Sequence, residues 1–230
     1  MTPSLFITAT DTGVGKTFIA CLLAETLRES GHSVGVLKPF AAGDLNDAEF
    51  LHRAAGGTGS SNHVTLLYCP HPLAPGAQVG LGRPGQKLAE QTFDKSVAAV
   101  KALQKKRDCV LVEGVGGVLV PLGGRLFVTD LMAKLKLPIW VVARAGLGTI
   151  NHTLLTVEAL SRRGLVPRRI LLNNYKGRDL SERSNAKIIK SLTGISVTEV
   201  PCTSTRSREK KAKRLLLDAF VEDFRFDESN

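Results

Sequence analysis

The chain has 230 residues and a formal net charge of +10, with 43% hydrophobic but only 5% aromatic residues. This length allows one large domain or two small ones, and the aliphatic bias suits a core between a sheet and helices. No segment approaches the roughly 20 apolar residues of a membrane span, which excludes a membrane-spanning protein class. No basic region precedes the first apolar run, so we expect a cytoplasmic protein.

Short apolar runs alternate with helical stretches along the chain, as in proteins whose strands are buried on both faces. The strands are predicted at 5–8, 34–37, 64–68, 110–113, 139–143, 170–173 and 195–200. Helices are predicted at 16–29, 47–55, 87–105, 128–135, 150–163 and 180–192. This alternation predicts an α/β fold, a single doubly wound and mainly parallel sheet flanked by helices, with ligands beyond the carboxyl ends of its strands.

Residues 1–230 are predicted to form one domain, in which 69–85 is the longest irregular segment and is interpreted as a substrate loop. Two basic clusters, 101–107 and 206–214, are interpreted as a solvated helix end and the start of a charged, solvated C-terminal tail, 206–230, which could be helical. A polyanion-binding site is the alternative for the second cluster. No aromatic residues interleave with these clusters, which disfavours a nucleic-acid surface. The four cysteines have no C-x-x-C spacing and are interpreted as reduced thiols.

A phosphate-binding loop is predicted where the first strand passes into the first helix. The sequence there is TDTGVGKT at 10–17. Glycines at 13 and 15 allow the backbone N–H groups to approach phosphate oxygens, the helix N-terminus favours an anion, and the lysine and threonine suit phosphate and Mg²⁺. The full motif is incomplete, because Thr10 stands where its first glycine belongs. The motif favours a nucleotide-hydrolase fold of the P-loop type.

Charged residues follow two further strands. Lys38 ends the second strand and Asp47 starts the next helix, while Glu113 ends the fourth strand before a glycine-rich turn, GVGG. With Thr17, the two carboxylates would complete the oxygen shell of Mg²⁺. Glu113 could instead simply pair with Lys38, and Asp47 could be a helix N-cap.

The assembled motifs resemble the dethiobiotin synthetase family over about residues 5–201. They are TDTGVGKT (10–17), KPFAAG (38–43), Asp47-Ala48, VEGVGG (112–117) and LGTINH (147–152). The resemblance implies a homodimeric, Mg²⁺- and ATP-dependent enzyme that joins 7,8-diaminononanoate to CO₂, with no nucleic acid or membrane as partner. The implied products are dethiobiotin, ADP and phosphate, formed through a carbamate and a phosphorylated carbamate.

The resemblance also implies roles for individual residues. The predicted catalytic residues are Lys16, Lys38 and Thr12, and the predicted metal ligands are Thr17, Asp47 and Glu113. The nucleotide would contact Gly13, Val14, Gly15, Lys16, Thr17, Glu113, Gly116, Asn173 and Pro201. The substrate would contact Thr12, Lys38, Ala42, Leu147, Gly148, Thr149, Ile150 and Asn151, the last five across the dimer interface. Asn151 could equally be a helix cap.

Some positions depart from the family pattern. Ala9 stands where a glycine is usual, Ala42 replaces a serine that often contacts substrate or phosphate, and Asn174 beside Asn173 leaves the base-reading residue open by one position. The stretch 73–77 matches the family's substrate-facing segment only loosely.

Two other classes share the loop. Partition-type ATPases, which bind DNA or membrane, carry an extra lysine five residues before the loop lysine, where this chain has Asp11. Cobyrinate-type amide ligases normally carry a glutaminase domain, for which this chain lacks room.

Overall fold

The computed structural model describes residues 2–225. Its strands are β1 (Ser4–Ala9), β2 (Val34–Ala42), β3 (Thr65–Cys69), β4 (Cys109–Glu113), β5 (Pro121–Gly123), β6 (Leu126–Phe127), β7 (Ile139–Arg144), β8 (Arg169–Tyr175) and β9 (Ser196–Pro201). In that part of the chain, seven strands form one sheet of order β3-β2-β4-β1-β7-β8-β9. All its paired strands are parallel, whereas β5 and β6 form a separate antiparallel pair.

The helices lie on both faces of this sheet. They are α1 (Lys16–Glu29), α2 (Asn46–Ala54), α3 (Pro75–Val79), α4 (Arg83–Gln104), α5 (Val128–Leu135), α6 (Thr149–Ser161), α7 (Leu180–Thr193) and α8 (Arg206–Arg225). One core cluster packs α1, α2 and α8 on one face, and a second packs α4, α5, α6 and α7 on the other. The predicted doubly wound α/β fold is confirmed.

The central strand β1 shows why the strands are continuous apolar runs in the sequence. Leu5 and Ile7 point into the first core cluster, while Phe6 between them points into the second. All three are fully buried, because successive side chains of a strand alternate between faces that are both covered by helices. The same alternation places Val110 and Val112 of β4 in the second cluster and Leu111 in the first.

The seven predicted strands all occur, and the predicted helices differ from the observed ones mainly at their ends. β2 continues to Ala42, beyond the predicted end at 37, because it pairs with β3 through registers such as Phe40 with Leu67. α4 begins at Arg83, four residues before the predicted start at 87, with Pro84 in its first turn. Proline is well suited to that position because its missing N–H has no intrahelical partner there.

Three short elements were not predicted from sequence. The segment 69–85, expected to be irregular, contains the five-residue helix α3, and the chain after β4 forms the β5–β6 pair. Elements of two to five residues are too short to show a periodicity of 2 or 3.6 residues.

For the residues that the structure describes, the C-terminal segment is helical, as the sequence allowed, but the expectation that it is solvated is wrong. Residues 206–225 form α8, and Ala212, Leu216, Ala219 and Phe220 are buried in the first core cluster with α1. Their spacing places them on one face, while Lys210, Lys211 and other charged side chains remain exposed on the opposite face. This apolar stripe was not recognised from the sequence, because charged residues surround it in the segment. Residues 226–230 of the predicted tail lie outside the described range.

The sheet order brings the sequence motifs to one edge of the molecule. β4 lies between β2 and β1, so that the carboxyl ends of these three strands are neighbours. Lys38 lies within the extended β2, whereas Glu113 ends β4 and the phosphate-binding loop follows β1. No helix in residues 2–225 is long and apolar enough to cross a membrane.

Candidate active site

The loop between β1 and α1 curls around two glycines in the left-handed region. Gly13 has φ 74° and Gly15 has φ 96°, and α1 starts directly after them at Lys16. No side chain caps the first turn of α1, so its backbone N–H groups are available to an anion. This geometry is that of a phosphate-binding loop.

Asn173 packs directly against this loop from the end of β8. Its Nδ2 donates to the carbonyl oxygen of Val14 at 2.9 Å, and its side chain is buried. A Cβ built on Gly15 would overlap Asn173 Nδ2, so only glycine permits this approach. The neighbouring Asn174 is exposed and has φ 61°, and it makes no such contact with the loop.

Lys16 lies in the interior of the site, with 7% of its surface exposed. Its Nζ is 3.4 Å from the carbonyl oxygen of Asp11, across the loop. Burial lowers the pKa of the Lys16 ammonium, although the negative charge of Glu113 opposes the shift. A desolvated ammonium without its own carboxylate partner is suited to an incoming anion.

Lys38 bridges two carboxylates at the mouth of the sheet. Its Nζ lies 2.7 Å from Asp47 Oδ2 and 2.7 Å from Glu113 Oε1. Glu113 Oε1 also accepts a hydrogen bond from the Thr17 hydroxyl at 2.7 Å. The structure therefore brings the predicted metal ligands together, since Lys38 bridges Asp47 and Glu113 while Thr17 bonds directly to Glu113. The simple Lys38–Glu113 ion pair that the sequence left open is also present.

The charges of this cluster stabilise one another. Burial alone would lower the pKa of Lys38, but Glu113 and then Asp47 outweigh it and raise that pKa above its ordinary value. Burial would raise the pKa of Asp47, and the ammonium of Lys38 instead holds it below its ordinary value. The ion-paired forms of both side chains are therefore favoured near neutral pH.

The oxygen atoms of this cluster fit a magnesium ion. A hydroxyl and two carboxylates are hard oxygen ligands of the kind that Mg²⁺ prefers. Glu113 is 1% exposed and its Oε2 has no hydrogen-bond partner in the structure, so its hydrogen bonds to Thr17 and Lys38 are made through Oε1 alone. No group of three His, Cys, Asp or Glu side chains within 2–225 could hold a metal alone. An ion here would thus also need phosphate and water oxygens, as is usual for Mg²⁺.

Two clefts open on either side of the loop. The first, of about 550 Å³, is lined by Gly13, Val14, Gly15, Phe18, Arg144, Ala145, Gly146, Asn173, Asn174, Lys176, Glu182, Pro201, Cys202 and Thr203. The second, of about 490 Å³, is lined by Thr12, Gly13, Gly15, Lys16, Thr17, Lys38, Ala42, Asp47, Pro72, Leu73, Ala74, Val115, Gly116 and Val120. Gly13 and Gly15 belong to both clefts, so the clefts meet at the phosphate-binding loop.

Several lining residues were not singled out from the sequence. Arg144, Lys176, Glu182 and Cys202 line the first cleft, and Pro72, Val115 and Val120 line the second. Arg144 ends β7, and both Lys176 and Cys202 directly follow a strand of the same sheet, so their positions after strand ends were the available signal.

The predicted substrate residues 147–151 do not line either cleft in this chain, although Gly146 beside them lines the first. Gly148, with φ 88°, precedes α6, whose first turn contains Thr149, Ile150 and Asn151. Leu147 is 87% exposed and Asn151 is exposed, whereas Thr149 is buried. Neither cleft, as lined by the described residues, includes any of these five positions.

Comparisons with solved structures identify the fold class. The septum site-determining protein MinD complexed with Mg-ADP from Pyrococcus horikoshii superposes with a TM-score of 0.58, at 15% identity, over 99% of this chain and 98% of that one. A putative plasmid partition protein of Borrelia burgdorferi bound to AMPPNP gives a TM-score of 0.59, at 11% identity, over 97% and 100% of the two chains. At these identities the likeness shows the P-loop nucleotide-hydrolase fold alone.

Sequence comparisons are more specific. A family model described as an AAA domain matches residues 3–208. The ATP-dependent dethiobiotin synthetase BioD of Endomicrobium trichonymphae is 44% identical over 203 residues, which cover 87% of this chain and 93% of that protein. The protein of the same name from Aquifex aeolicus is 41% identical over 200 residues, 86% and 88% of the two chains. The chain therefore belongs to the dethiobiotin synthetase family of ATP-dependent ligases.

Proposed function

We propose that this protein is a dethiobiotin synthetase, which forms the cyclic urea of dethiobiotin from 7,8-diaminononanoate, CO₂ and ATP. The observation that carries the proposal is the cluster of two buried ammonium groups, Lys16 and Lys38, beside the phosphate-binding loop and the carboxylates of Asp47 and Glu113. The names of the relatives support the same reaction.

The first step needs little from the protein beyond positioning. One amine nitrogen of the substrate attacks the carbon of CO₂ and loses a proton, which gives a carbamate with one negative charge. Thr12 is exposed at the rim of the second cleft, where its hydroxyl would orient the diamine. Lys38, whose ammonium is favoured by its surroundings, would pair with the carbamate.

The next two steps transfer and then release phosphate. A carbamate oxygen attacks the γ-phosphorus of ATP and ADP departs, and the second amine then attacks the carbamate carbon while the C–O bond to phosphate breaks. The loss of a proton from this amine completes the cyclic urea. Lys16 and the loop N–H groups would stabilise the charge that gathers on the transferred phosphoryl group, and no protein nucleophile is required.

The roles of the two clefts follow from this chemistry. In the first cleft, Asn173 and Pro201 would contact the nucleotide base, and residues 13–17 would hold the phosphates at the point where the clefts meet. Glu113 and Gly116 would lie near the γ-phosphate. The second cleft, which contains Ala42, would hold the diamine.

Mg²⁺ would be held by Thr17, Asp47 and Glu113, and when bound it would neutralise phosphate charge. In the structure, hydrogen bonds bring these side chains together, because Thr17 and Lys38 both donate to Glu113 and Lys38 also donates to Asp47.

We also propose that the enzyme acts as a homodimer in which residues 147–151 of one chain complete the substrate site of the other. Support comes from the exposure of Leu147 and Asn151 and from the absence of residues 147–151 from the linings of both clefts of their own chain. The N-terminus of α6 would favour the carboxylate end of the substrate.

Transfer of oxygen from bicarbonate to phosphate tests this mechanism. In the proposed sequence the carbamate oxygen that attacks phosphorus leaves with the phosphate. With freshly dissolved ¹⁸O-labelled bicarbonate, mass spectrometry should find one bicarbonate-derived oxygen in each phosphate formed. Phosphate without label, formed together with dethiobiotin, would exclude the phosphorylated carbamate. The partition-type alternative predicts instead that the protein co-sediments with liposomes or shifts long DNA.

A further inference from the structure

Lys38 is assigned above to the carbamate, yet it lies between the two proposed carboxylate ligands of the metal. Its side chain is 4% exposed, and its Nζ lies 2.7 Å from one oxygen of each proposed carboxylate ligand, Asp47 and Glu113. The oxygen that it binds on Glu113, Oε1, is also the oxygen to which Thr17 donates. The ammonium therefore shares Glu113 Oε1 with the proposed metal ligand Thr17.

We propose that Lys38 is an internal cation of the metal site, which Mg²⁺ displaces towards the substrate cleft. The ammonium holds the two carboxylates together, and it becomes free to bind the carbamate only when the metal takes its place. This inference rests on the proposed function, which assigns Thr17, Asp47 and Glu113 to the metal.

The geometry makes competition between the two cations the expected outcome. Mg²⁺ binds oxygen at about 2.0–2.1 Å, so an ion bound to Thr17 Oγ1 and Glu113 Oε1 would come close to an ammonium that touches the same oxygen. Two positive charges at that distance repel strongly where little water is present. The other oxygen, Glu113 Oε2, has almost no accessible surface and no hydrogen-bond partner, whereas both Thr17 and Lys38 contact Oε1.

The displaced Lys38 ammonium can move into the second cleft. Lys38 itself lines this cleft beside Thr12, Lys16 and Ala42. An ammonium that has lost its carboxylate partners needs another anion, because an unpaired buried charge is costly. The anionic carbamate supplies that partner. Metal binding and carbamate binding are therefore coupled, and each strengthens the other.

Cation binding without turnover tests this coupling. Mn²⁺ serves as the probe, with free Mn²⁺ measured by electron paramagnetic resonance in the presence of ADP but without diamine or bicarbonate. Lys38→Met should bind Mn²⁺ roughly tenfold more tightly or better, because the competing cation is gone. The matched control is Lys210→Met, which removes the same charge from an exposed position on α8 and should bind like the unsubstituted protein.

Equal or weaker binding by Lys38→Met would overturn the proposal, and so would the absence of Mn²⁺ binding by every variant. The titration contains no diamine, so its outcome is independent of whether the protein makes dethiobiotin. If the unsubstituted protein makes dethiobiotin but Lys38→Met binds Mn²⁺ no more tightly, the proposed function stands and only the displacement of Lys38 is refuted.

A second measurement covers the case in which Lys38→Met does not fold. In the unsubstituted protein, the ¹H–¹⁵N signal of the Lys38 ammonium can be assigned by its loss in Lys38→Arg. We expect this signal to shift with MgADP well beyond any shift caused by ADP alone. The same signal position with ADP and with MgADP would show that the ammonium stays on its carboxylates, contrary to the proposal.

Discussion

At the scale of single residues, Gly15 shows how one missing side chain shapes the site. Its positive φ of 96° suits glycine, and its Cα faces the amide of Asn173 so closely that a Cβ would overlap it. The sequence motif predicted a glycine that approaches phosphate, but it did not predict contact with a residue from β8. That contact links the phosphate-binding loop to the proposed base-binding cleft.

Gly15→Ala should therefore cost more than backbone strain. The matched control is Gly31→Ala, since Gly31 has φ 91° but open space around its Cα. Both variants should lose about 1–2 kcal/mol of unfolding free energy from strain. Only Gly15→Ala should lose ADP affinity, by roughly tenfold or more, as measured by titration calorimetry. Equal ADP affinity in the two variants would show that the Asn173 contact is irrelevant to nucleotide binding.

The cysteines differ in reactivity in a way that tests the first cleft. A backbone hydrogen bond from Ser204 lowers the pKa of the Cys202 thiol, which lines that cleft. Burial raises the pKa of Cys21 to about 12. Because the thiolate is the nucleophile, iodoacetamide at about pH 8 should alkylate Cys202 well before Cys21.

ADP should slow the alkylation of Cys202 if the nucleotide fills this cleft. Peptide mass spectrometry follows both cysteines in one sample. Alkylation of Cys202 at the same rate with and without ADP would place the nucleotide elsewhere.

At the scale of elements, α8 departs most from the sequence prediction. The strands were predictable because each is a continuous apolar run, whereas α8 carries its apolar residues among many charges. Its end is fixed by Asp223, which accepts a hydrogen bond from Trp140 Nε1 at 2.6 Å and pairs with Arg169. The helix is thus part of the packed structure and adds a buried face to α1.

Removal of a buried side chain from α8 should consequently lower the stability of the whole fold. Leu216 is fully buried, so Leu216→Ala should lower the unfolding free energy by about 2–5 kcal/mol. Lys211→Ala, on the exposed face of the same helix, should change it by less than about 0.5 kcal/mol. Urea denaturation measures the unfolding free energy of both variants. Equal losses of unfolding free energy would instead support a solvated tail.

At the scale of the whole molecule, the fold accounts for how distant motifs meet. The prediction that strand-end residues converge needed only a parallel sheet, but the insertion of β4 between β2 and β1 could not be derived from chain order. That insertion places Glu113 beside both Lys38 and Thr17. The bridge from Lys38 to two carboxylates was likewise beyond the sequence, which offered either an ion pair or a metal ligand. The assignment of 1–230 to one domain remains a prediction, supported by the shared sheet.

A shared site in a homodimer has a quantitative consequence. If residues 147–151 serve the partner's cleft, a mixed dimer of Lys16→Ala and Asn151→Ala chains has one intact site and one doubly substituted site. Random mixing in equal amounts makes half of the dimers mixed, so activity should recover to about a quarter of the unsubstituted level. Each variant alone should be nearly inactive. A mixture that stays as inactive as its components would place the whole site within one chain.

The most direct test of the proposed function is turnover with and without the diamine. Purified protein is incubated with MgATP and bicarbonate, and ADP release and product mass are followed together. We predict that ADP appears only with 7,8-diaminononanoate, in equal amount to a product with the mass of dethiobiotin. ATP hydrolysis that ignores the diamine, or no product of that mass, would contradict the account and leave only the fold in common with the family.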